Sequence, residues 1–290
     1  MEVEYIVKIG VDVGYSYTKD NYGHIFRSAM MEGTNIGGMK MEIDGKKYIV
    51  GAGNGTTDVN KANNELTKVL LLTDLYLNGA DEYKIVTGLP ISQYKTQENV
   101  LRHSIMKYSR SIVNGRAIHI SDVRVYPQCA GALLSVNFRQ SCTVVDIGGR
   151  TTDIGLFVFE NGRFTLTNYS TLYVGMESLF SEIAGAVNDR FELSIPTWQG
   201  ESILRNGLVI DGNPQDTRFL EPVIKNHCEP ICKELVLRYP VRSMPVVLCG
   251  GGAIPLKQFI KSCAPSVGVI NDSQFSNAKG FYKWGCQIYA

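Results

Sequence analysis

Two short stretches of this sequence have residue types and spacing suited to binding a phosphate chain. The first is Asp12-Val-Gly14-Tyr15-Ser16-Tyr17-Thr18-Lys19, and the second is Asp146-Ile-Gly148-Gly149-Arg150-Thr151-Thr152-Asp153. In each, a carboxylate closes an apolar run and a glycine turn follows. Such a turn brings backbone N–H groups close to a ligand, and successive N–H groups form anion-binding nests. A phosphate chain between two such turns meets donors from both sides. Its Mg²⁺, a hard cation that keeps several waters, meets Asp12 and Asp146. The hydroxyls of Ser16, Thr18, Thr151 and Thr152 add donors, and Lys19 adds a cation. One Asp-x-Gly is common in ordinary hairpins; two at matching positions carry more weight. A third element is Gly250-Gly251-Gly252-Ala253 after an apolar strand, where something flat can lie against the backbone or a helix can pack tightly.

The elements that position these turns repeat at a constant offset of 134 positions. A β-branched strand leads into each copy (Tyr5–Val11; Cys142–Val145). A second strand then runs to a hairpin, Asn21-Tyr22-Gly23 in one copy and Asn161-Gly162 in the other, and a third strand leaves it (His24–Ala29; Arg163–Tyr169). Asn-Gly between alternating apolar residues is a strong hairpin signal. The chain therefore reads as a duplicated α/β unit, each half opening with a three-stranded meander.

The first copy carries an insertion, about 31–80. It holds a glycine- and methionine-rich stretch (Gly33–Met41), a strand Lys47–Val50 and a Leu-rich helix Glu65–Leu77. Gly51-Ala52-Gly53-Asn54-Gly55 lacks the G-x-G-x-x-G spacing and opens no helix, which excludes a dinucleotide loop. A core strand Tyr83–Thr87 and a helix near Thr96–Tyr108 follow. The second copy continues into a helix over Met176–Phe191 and an insertion, about 193–239, with a helix Phe219–Leu237. Pro255 fits the first turn of a further helix, and Ser276–Tyr289 reads as a terminal one.

Composition narrows the function. Across 290 residues, 29 Lys+Arg stand against 28 Asp+Glu, so the net charge is +1 and no broad basic surface is expected for nucleic acid or anionic membrane. Hydrophobic residues make up 44%, too many for a disordered chain. The start, MEVEYIVKIG, lacks the basic flank of a secretory leader, and no apolar stretch approaches the ~20 residues of a membrane span. The seven cysteines are scattered and read as buried thiols of a cytoplasmic protein. His227, Cys228 and Cys232 make a metal pair conceivable, but no second cluster completes a structural zinc set.

In order along the chain, the Asp12, Asp146 and Val247-Leu-Cys-Gly250-Gly251-Gly252-Ala253 motifs resemble the phosphate-1, phosphate-2 and adenosine motifs of the actin/Hsp70/sugar-kinase superfamily. Val125-Tyr-Pro127-Gln128-Cys-Ala130-Gly131-Ala132 resembles its first connecting helix. Val86-Thr-Gly88-Leu89-Pro90 and Asn277-Ala-Lys-Gly280-Phe-Tyr-Lys look like the ParM/StbA branch, the plasmid-partition actins.

The resemblance implies a duplicated ribonuclease-H-like, two-lobed α/β fold with a nucleotide cleft between the lobes. Lobe I would span 1–140, completed by a C-terminal helix at about 272–290, and lobe II 141–271. It implies ATP or GTP with Mg²⁺ held through water by Asp12 and Asp146. The turns Gly14, Tyr15, Ser16, Tyr17, Thr18 and Gly148, Gly149, Arg150, Thr151 would cradle phosphates, with Lys19 as charge partner. Gly250, Gly251, Gly252 and Ala253 would back base and ribose, Gly175 would lie near the nucleotide, and Glu201 would contact ribose or be a solvated helix residue. Gln128 stands where many ParM-like proteins carry glutamate and eukaryotic actin glutamine. It implies a water-orienting group for hydrolysis, an inactive binder or a helix cap.

The function implied is an ATPase coupled to polymerisation, a homopolymer that segregates plasmid DNA through a DNA-binding adaptor, without direct nucleic-acid or membrane contact. The alternatives are a small-molecule kinase of the same superfold and a bacterial actin with a structural role. In the implied fold, Gly37-Gly38-Met39-Lys40-Met41 either presents exposed methionines to the next subunit or folds them back onto a hairpin, Met41–Val50.

Overall fold

Strands form where β-branched runs end in glycine turns, and the computed structural model, which describes residues 6–33, 37–53, 61–62 and 64–289, pairs them into two separate sheets. Tyr5, Thr34–Ile36 and Asn54-Gly55 of the expected segments lie outside the described residues. The chain divides into a unit of residues 1–138 with 275–290 and a unit of residues 139–274.

In the first unit, β1 (Ile6–Val13), β2 (Tyr17–Asp20) and β3 (Ile25–Arg27) form the expected meander. Next come β4 (Met30–Glu32), β5 (Met39–Ile43), β6 (Lys46–Val50), the helix α1 (Glu65–Asn78) and β7 (Glu82–Leu89). After α2 (Ile91–Lys107), the strands β8 (Arg110–Val113) and β9 (Arg116–Pro127) form a hairpin across Asn114-Gly115, and α3 (Ala130–Ser135) follows. The sheet is nine-stranded in the order β3-β2-β1-β7-β9-β8-β5-β6-β4. The insertion is therefore an extension of the same sheet, joined through the pairing of β5 with β8. The Asn64 side chain caps α1 by accepting from the Leu66 N–H, and Gly79 ends it at φ 84°. Leu70, Leu71, Leu72 and Leu75 are all buried, so α1 runs through the core of this unit.

Met41 does not face outward. At 4% exposure it belongs to that core, and Met39 packs against it. The alternation Met39, Met41, Ile43 turns one strand face inward, as the two-residue period requires. Of the two alternatives, exposed contact residues or methionines folded back onto the hairpin, the second is the one observed.

The second unit repeats the plan. Here β10 (Cys142–Ile147), β11 (Thr152–Glu160) and β12 (Arg163–Leu172) form the meander, and α4 (Met176–Phe191) follows as expected. The insertion folds into α5 (Gln199–Asn206), a hairpin of β13 (Leu208–Ile210) and β14 (Asn213–Gln215), and α6 (Glu221–Arg238). The unit closes with β15 (Val246–Cys249), α7 (Ala253–Lys261) and β16 (Val267–Val269). Its five-stranded sheet has the order β12-β11-β10-β15-β16, matching β3-β2-β1-β7-β9 strand for strand. In both, the first strand is central and is joined in parallel to the fourth. Central strands are covered on both faces, and β10 is buried throughout.

The final helix, α8 (Ser276–Ile288), returns to the first unit and packs on β1, β7 and α3. Its approach to α3 is so close that a Cβ at Gly280 would lie 1.7 Å from the Gly131 carbonyl oxygen. Phe281, fully buried, fills the space over Gly88 and Gly131. Gly280→Ala is therefore expected to destabilise the chain by ~3 kcal/mol, the upper range for forced overpacking, read as a lowered urea midpoint. An unchanged midpoint would mean that α8 is not held by this seam.

Candidate functional site

Each unit ends its central strand in a buried aspartate, and each glycine turn closes in the same way. The Gly14 N–H donates to the Tyr17 carbonyl at 3.1 Å, and the Gly148 N–H donates to the Thr151 carbonyl at 2.9 Å. The two glycine N–H groups thus shape their turns. A Cβ at position 14 would sit 2.6 Å from the Tyr17 carbonyl oxygen, which explains the glycine there.

In the first unit, antiparallel pairing sets Asp12 opposite Lys19. The Lys19 Nζ lies 2.9 Å from Asp12 Oδ2, while the Gln128 Nε2 donates to Asp12 Oδ1 at 2.7 Å. A second buried cation, Lys61, donates to the Val13 carbonyl at 2.8 Å and stands 4.4 Å over the Tyr15 ring. Burial opposes the charge on Asp12, but Lys19, Lys61 and the amide of Gln128 outweigh it and hold the carboxyl below its ordinary range. Asp12 is thus an ionised, acceptor-only group, which fixes the Gln128 amide nitrogen as the atom facing it.

Gln128 follows β9 in a turn ahead of α3 and is not on a helix. Its backbone N–H donates to the Leu89 carbonyl at 2.8 Å. The residue at the α3 cap position is Cys129, at φ 67°, with no side-chain capping bond. The helix-cap role for Gln128 is therefore excluded; its amide nitrogen is committed to Asp12.

The hydroxyl of Thr18 also differs from expectation. It lies 3.0 Å from the Ser28 hydroxyl in a fully buried position, because adjacent strand residues face opposite ways and Lys19 takes the Asp12 face. The Ser16 carbonyl accepts from the Ser28 N–H at 2.8 Å.

In the second unit, the position opposite Asp146 holds Asp153, so no cation matches Lys19 across the strand pair. Gly148 and Gly149 accept through their carbonyls from the Met176 and Glu177 N–H groups, at 3.0 and 2.7 Å, so the turn caps α4. Arg150 donates to Glu177 at 2.9 Å. Gly175 is a packing residue, since a Cβ there would lie 2.5 Å from the Gly149 carbonyl oxygen. Thr151 and Thr152 are buried, and the Thr152 hydroxyl donates to the Val174 carbonyl at 2.7 Å.

The glycine triplet divides its labour. Gly250, at φ 82°, lies against the other strand end: a Cβ would fall 2.4 Å from the Ile147 carbonyl and 2.5 Å from Asp146 Oδ1. Gly252 packs on Ile147 and Met176, and the Ala253 N–H donates to the Gly250 carbonyl at 3.3 Å. Only Gly251 of the three has open space where a Cβ would stand. Glu201 lies on α5 and accepts from Arg205 at 3.1 Å, one helical turn away.

Sequence reasoning missed Lys61, which nothing local marks as part of a site. None of the seven cysteines is in a disulfide; Cys129, Cys142, Cys228 and Cys249 are buried as expected, whereas Cys232, Cys263 and Cys286 are only half-buried, and His227 faces Glu182 at 3.1 Å. Among the described residues, no helix is long and apolar enough to cross a membrane.

Comparison with known proteins bears on the family and the fold. Residues 10–131 match the family model "Actin like proteins N terminal domain", and residues 144–262 match "Archaeal actin homologue MreB-like, C-terminal". The chain is similar to the protein of a 15-stranded ParM filament from Clostridium botulinum, at 21% identity and a TM-score of 0.79 over 97% of this chain and 99% of that one. It is also similar to an archaeal actin homologue in complex with ADP, at 19% identity and a TM-score of 0.81 over 97% and 100% of the chains. An Alp12 filament structure matches at 21% identity and a TM-score of 0.69 over 98% and 99%. At these identities the likeness to solved structures establishes the fold. No curated protein matches the sequence.

Proposed function

The chain belongs to the actin-like proteins, whose N-terminal domain model it matches, and from that membership we propose that it binds ATP or GTP with Mg²⁺, hydrolyses it and assembles into filaments. The observation that carries this reading is the duplicated turn, a buried aspartate followed by a glycine whose N–H closes on the residue three positions on. We assign Gly14–Lys19 and Gly148–Thr151 to the phosphates, and Gly251, with open space over its backbone, to the face of the base or ribose.

The donor set fits a hard cation held through water. Asp12 is ionised and both its oxygens already accept from Lys19 and Gln128, so its remaining lone pairs suit a hydrating water better than direct coordination. Asp146 supplies the second carboxylate. Bound Mg²⁺ supplies charge neutralisation for the phosphates. Lys61 adds a fixed positive charge beside the first turn.

Gln128 anchors its Nε2 on Asp12, which leaves Oε1 as the acceptor that orients an attacking water. Phosphoryl transfer depends mainly on positioning and electrostatics, so an amide suffices for this role. A kinase acting on a hydroxyl needs a carboxylate base at this place, which an amide does not supply.

The proposed task is plasmid DNA segregation through a DNA-binding adaptor, a division of labour that suits a chain of net charge +1. Light scattering with pelleting tests the central claim. Scattering is expected to rise on adding ATP–Mg²⁺ or GTP–Mg²⁺ and to decay as phosphate is released. Scattering and pelleting that ignore nucleotide would overturn it.

A further inference from the structure

We propose that Asp20, His24 and Asp74 form a binding site for a first-row divalent cation of the zinc class, joining the β2–β3 hairpin to α1. This inference does not rest on the nucleotide reading. One ligand atom from each residue lies within 4.8 Å of the other two. Asp20 and Asp74 are both 0% exposed, whereas the His24 side chain is 39% exposed and gives the cluster a way to solvent.

The observation that points to a ligand is Asp74. It stands within the buried Leu70–Leu75 stretch of α1, and neither of its side-chain oxygens has a hydrogen-bond partner. A buried carboxyl with nothing to bond is among the costlier arrangements in a core. No donor compensates either of its oxygens. A divalent cation would supply a positive partner to both carboxylates.

The rest of the cluster is organised around the same point. Asp20 Oδ1 accepts the backbone N–H groups of Tyr22, Gly23 and His24 at 2.9, 2.8 and 2.9 Å, which locks the turn. Its Oδ2 faces His24 Nδ1 at 2.8 Å and accepts from Asn78 Nδ2 at 2.7 Å. Asn78 also donates to the Asp74 carbonyl at 2.9 Å, so the groups around the ligands are themselves held. Two carboxylate oxygens with an imidazole nitrogen suit Zn²⁺ or its neighbours better than Mg²⁺ or Ca²⁺, which favour oxygen alone. Because Asp20 follows Lys19 on β2, a cation here would also fix the strand that presents Lys19.

Zinc titration of the metal-stripped full chain by calorimetry, without nucleotide, tests the proposal. One equivalent should bind at micromolar concentration or below and raise the melting temperature, as any ligand selective for the folded state does. Asp74→Asn and His24→Gln should each weaken that equivalent at least tenfold and abolish the melting shift. The double variant Cys232→Ser/Cys263→Ser should retain both, which separates this site from zinc captured by thiols. His24→Gln alters a partly exposed residue and keeps the test available if Asp74→Asn fails to fold. Unchanged binding in His24→Gln, loss of binding in the cysteine variant, or no binding by the natural chain would each overturn the proposal.

Discussion

Asp12→Asn is expected to cut phosphate release at least tenfold and to destabilise the fold, whereas Asp146→Asn cuts release comparably at a smaller cost in stability. A tenfold loss corresponds to about 1.4 kcal/mol of barrier. The difference in stability follows from the neighbours. Asp12 neutralises Lys19 directly and faces the charge of the buried Lys61, so an amide in its place removes a negative charge that both cations face. Removing one member of a buried pair costs about 3–5 kcal/mol, and the slight exposure of Lys19 argues for the lower end. Asp146 has Asp153, not a lysine, across the strand pair, so the counterpart of the Asp12–Lys19 pairing is not lost with it. The sign of the pH effect also follows. Burial alone would raise the Asp12 pKa, yet the lysines and Gln128 hold it below the ordinary value. Its contribution is then complete above the unfolded pKa of about 4 and is lost as pH falls through the lowered folded value. Asp12→Asn should therefore flatten the stability curve below about pH 4. Unfolding midpoints across pH, with phosphate release at neutral pH, check both parts. Full turnover in either variant would remove that aspartate from the site.

What the sequence disclosed about this site was what its local chemistry encodes. Strand, aspartate, glycine and hairpin lie within a few residues of one another, so both turns and the duplication could be read directly. The bounds of α4 also followed from an uninterrupted helical period between Gly175 and Glu192. Lys61 was hidden for the opposite reason: it lies 48 residues from the carbonyl it bonds, and only the tertiary path brings it there. The β8–β9 hairpin, by contrast, carries a local signal of its own in Asn114-Gly115. Strand alternation places both Thr18 and Met41 inward: Thr18 alternates with Lys19, and Met41 shares a face with the buried Ile43, which decides between its two alternatives. At glycines 175, 250 and 252 close approach to neighbouring backbone or side chains is enough to require the missing Cβ. A glycine's identity alone does not distinguish room for a ligand from room for the protein itself.

Gln128 offers the sharpest separation of chemistry from structure. Its Nε2 is committed to Asp12 at 2.7 Å, so the side chain is held in one orientation before any substrate arrives. If the role is to orient water through Oε1, Gln128→Ala should leave nucleotide affinity within about threefold while slowing phosphate release at least tenfold, about 1.4 kcal/mol of barrier. Filaments should then form on nucleotide addition and persist, because in the proposed function assembly depends on binding and disassembly on hydrolysis. Gln128→Glu provides the complementary result. It sets a second carboxylate against an ionised one, and two such neighbours cannot both ionise freely, so the pKa of the introduced group must rise. Turnover in that variant should acquire a pH dependence, climbing as the new carboxyl loses its proton, in a range where the natural chain is flat. Fluorescent-nucleotide titration, phosphate release and pelleting across pH distinguish these outcomes. If Gln128→Ala abolished nucleotide binding, the amide would be a brace for Asp12, and the orientation of water would have to fall to another group.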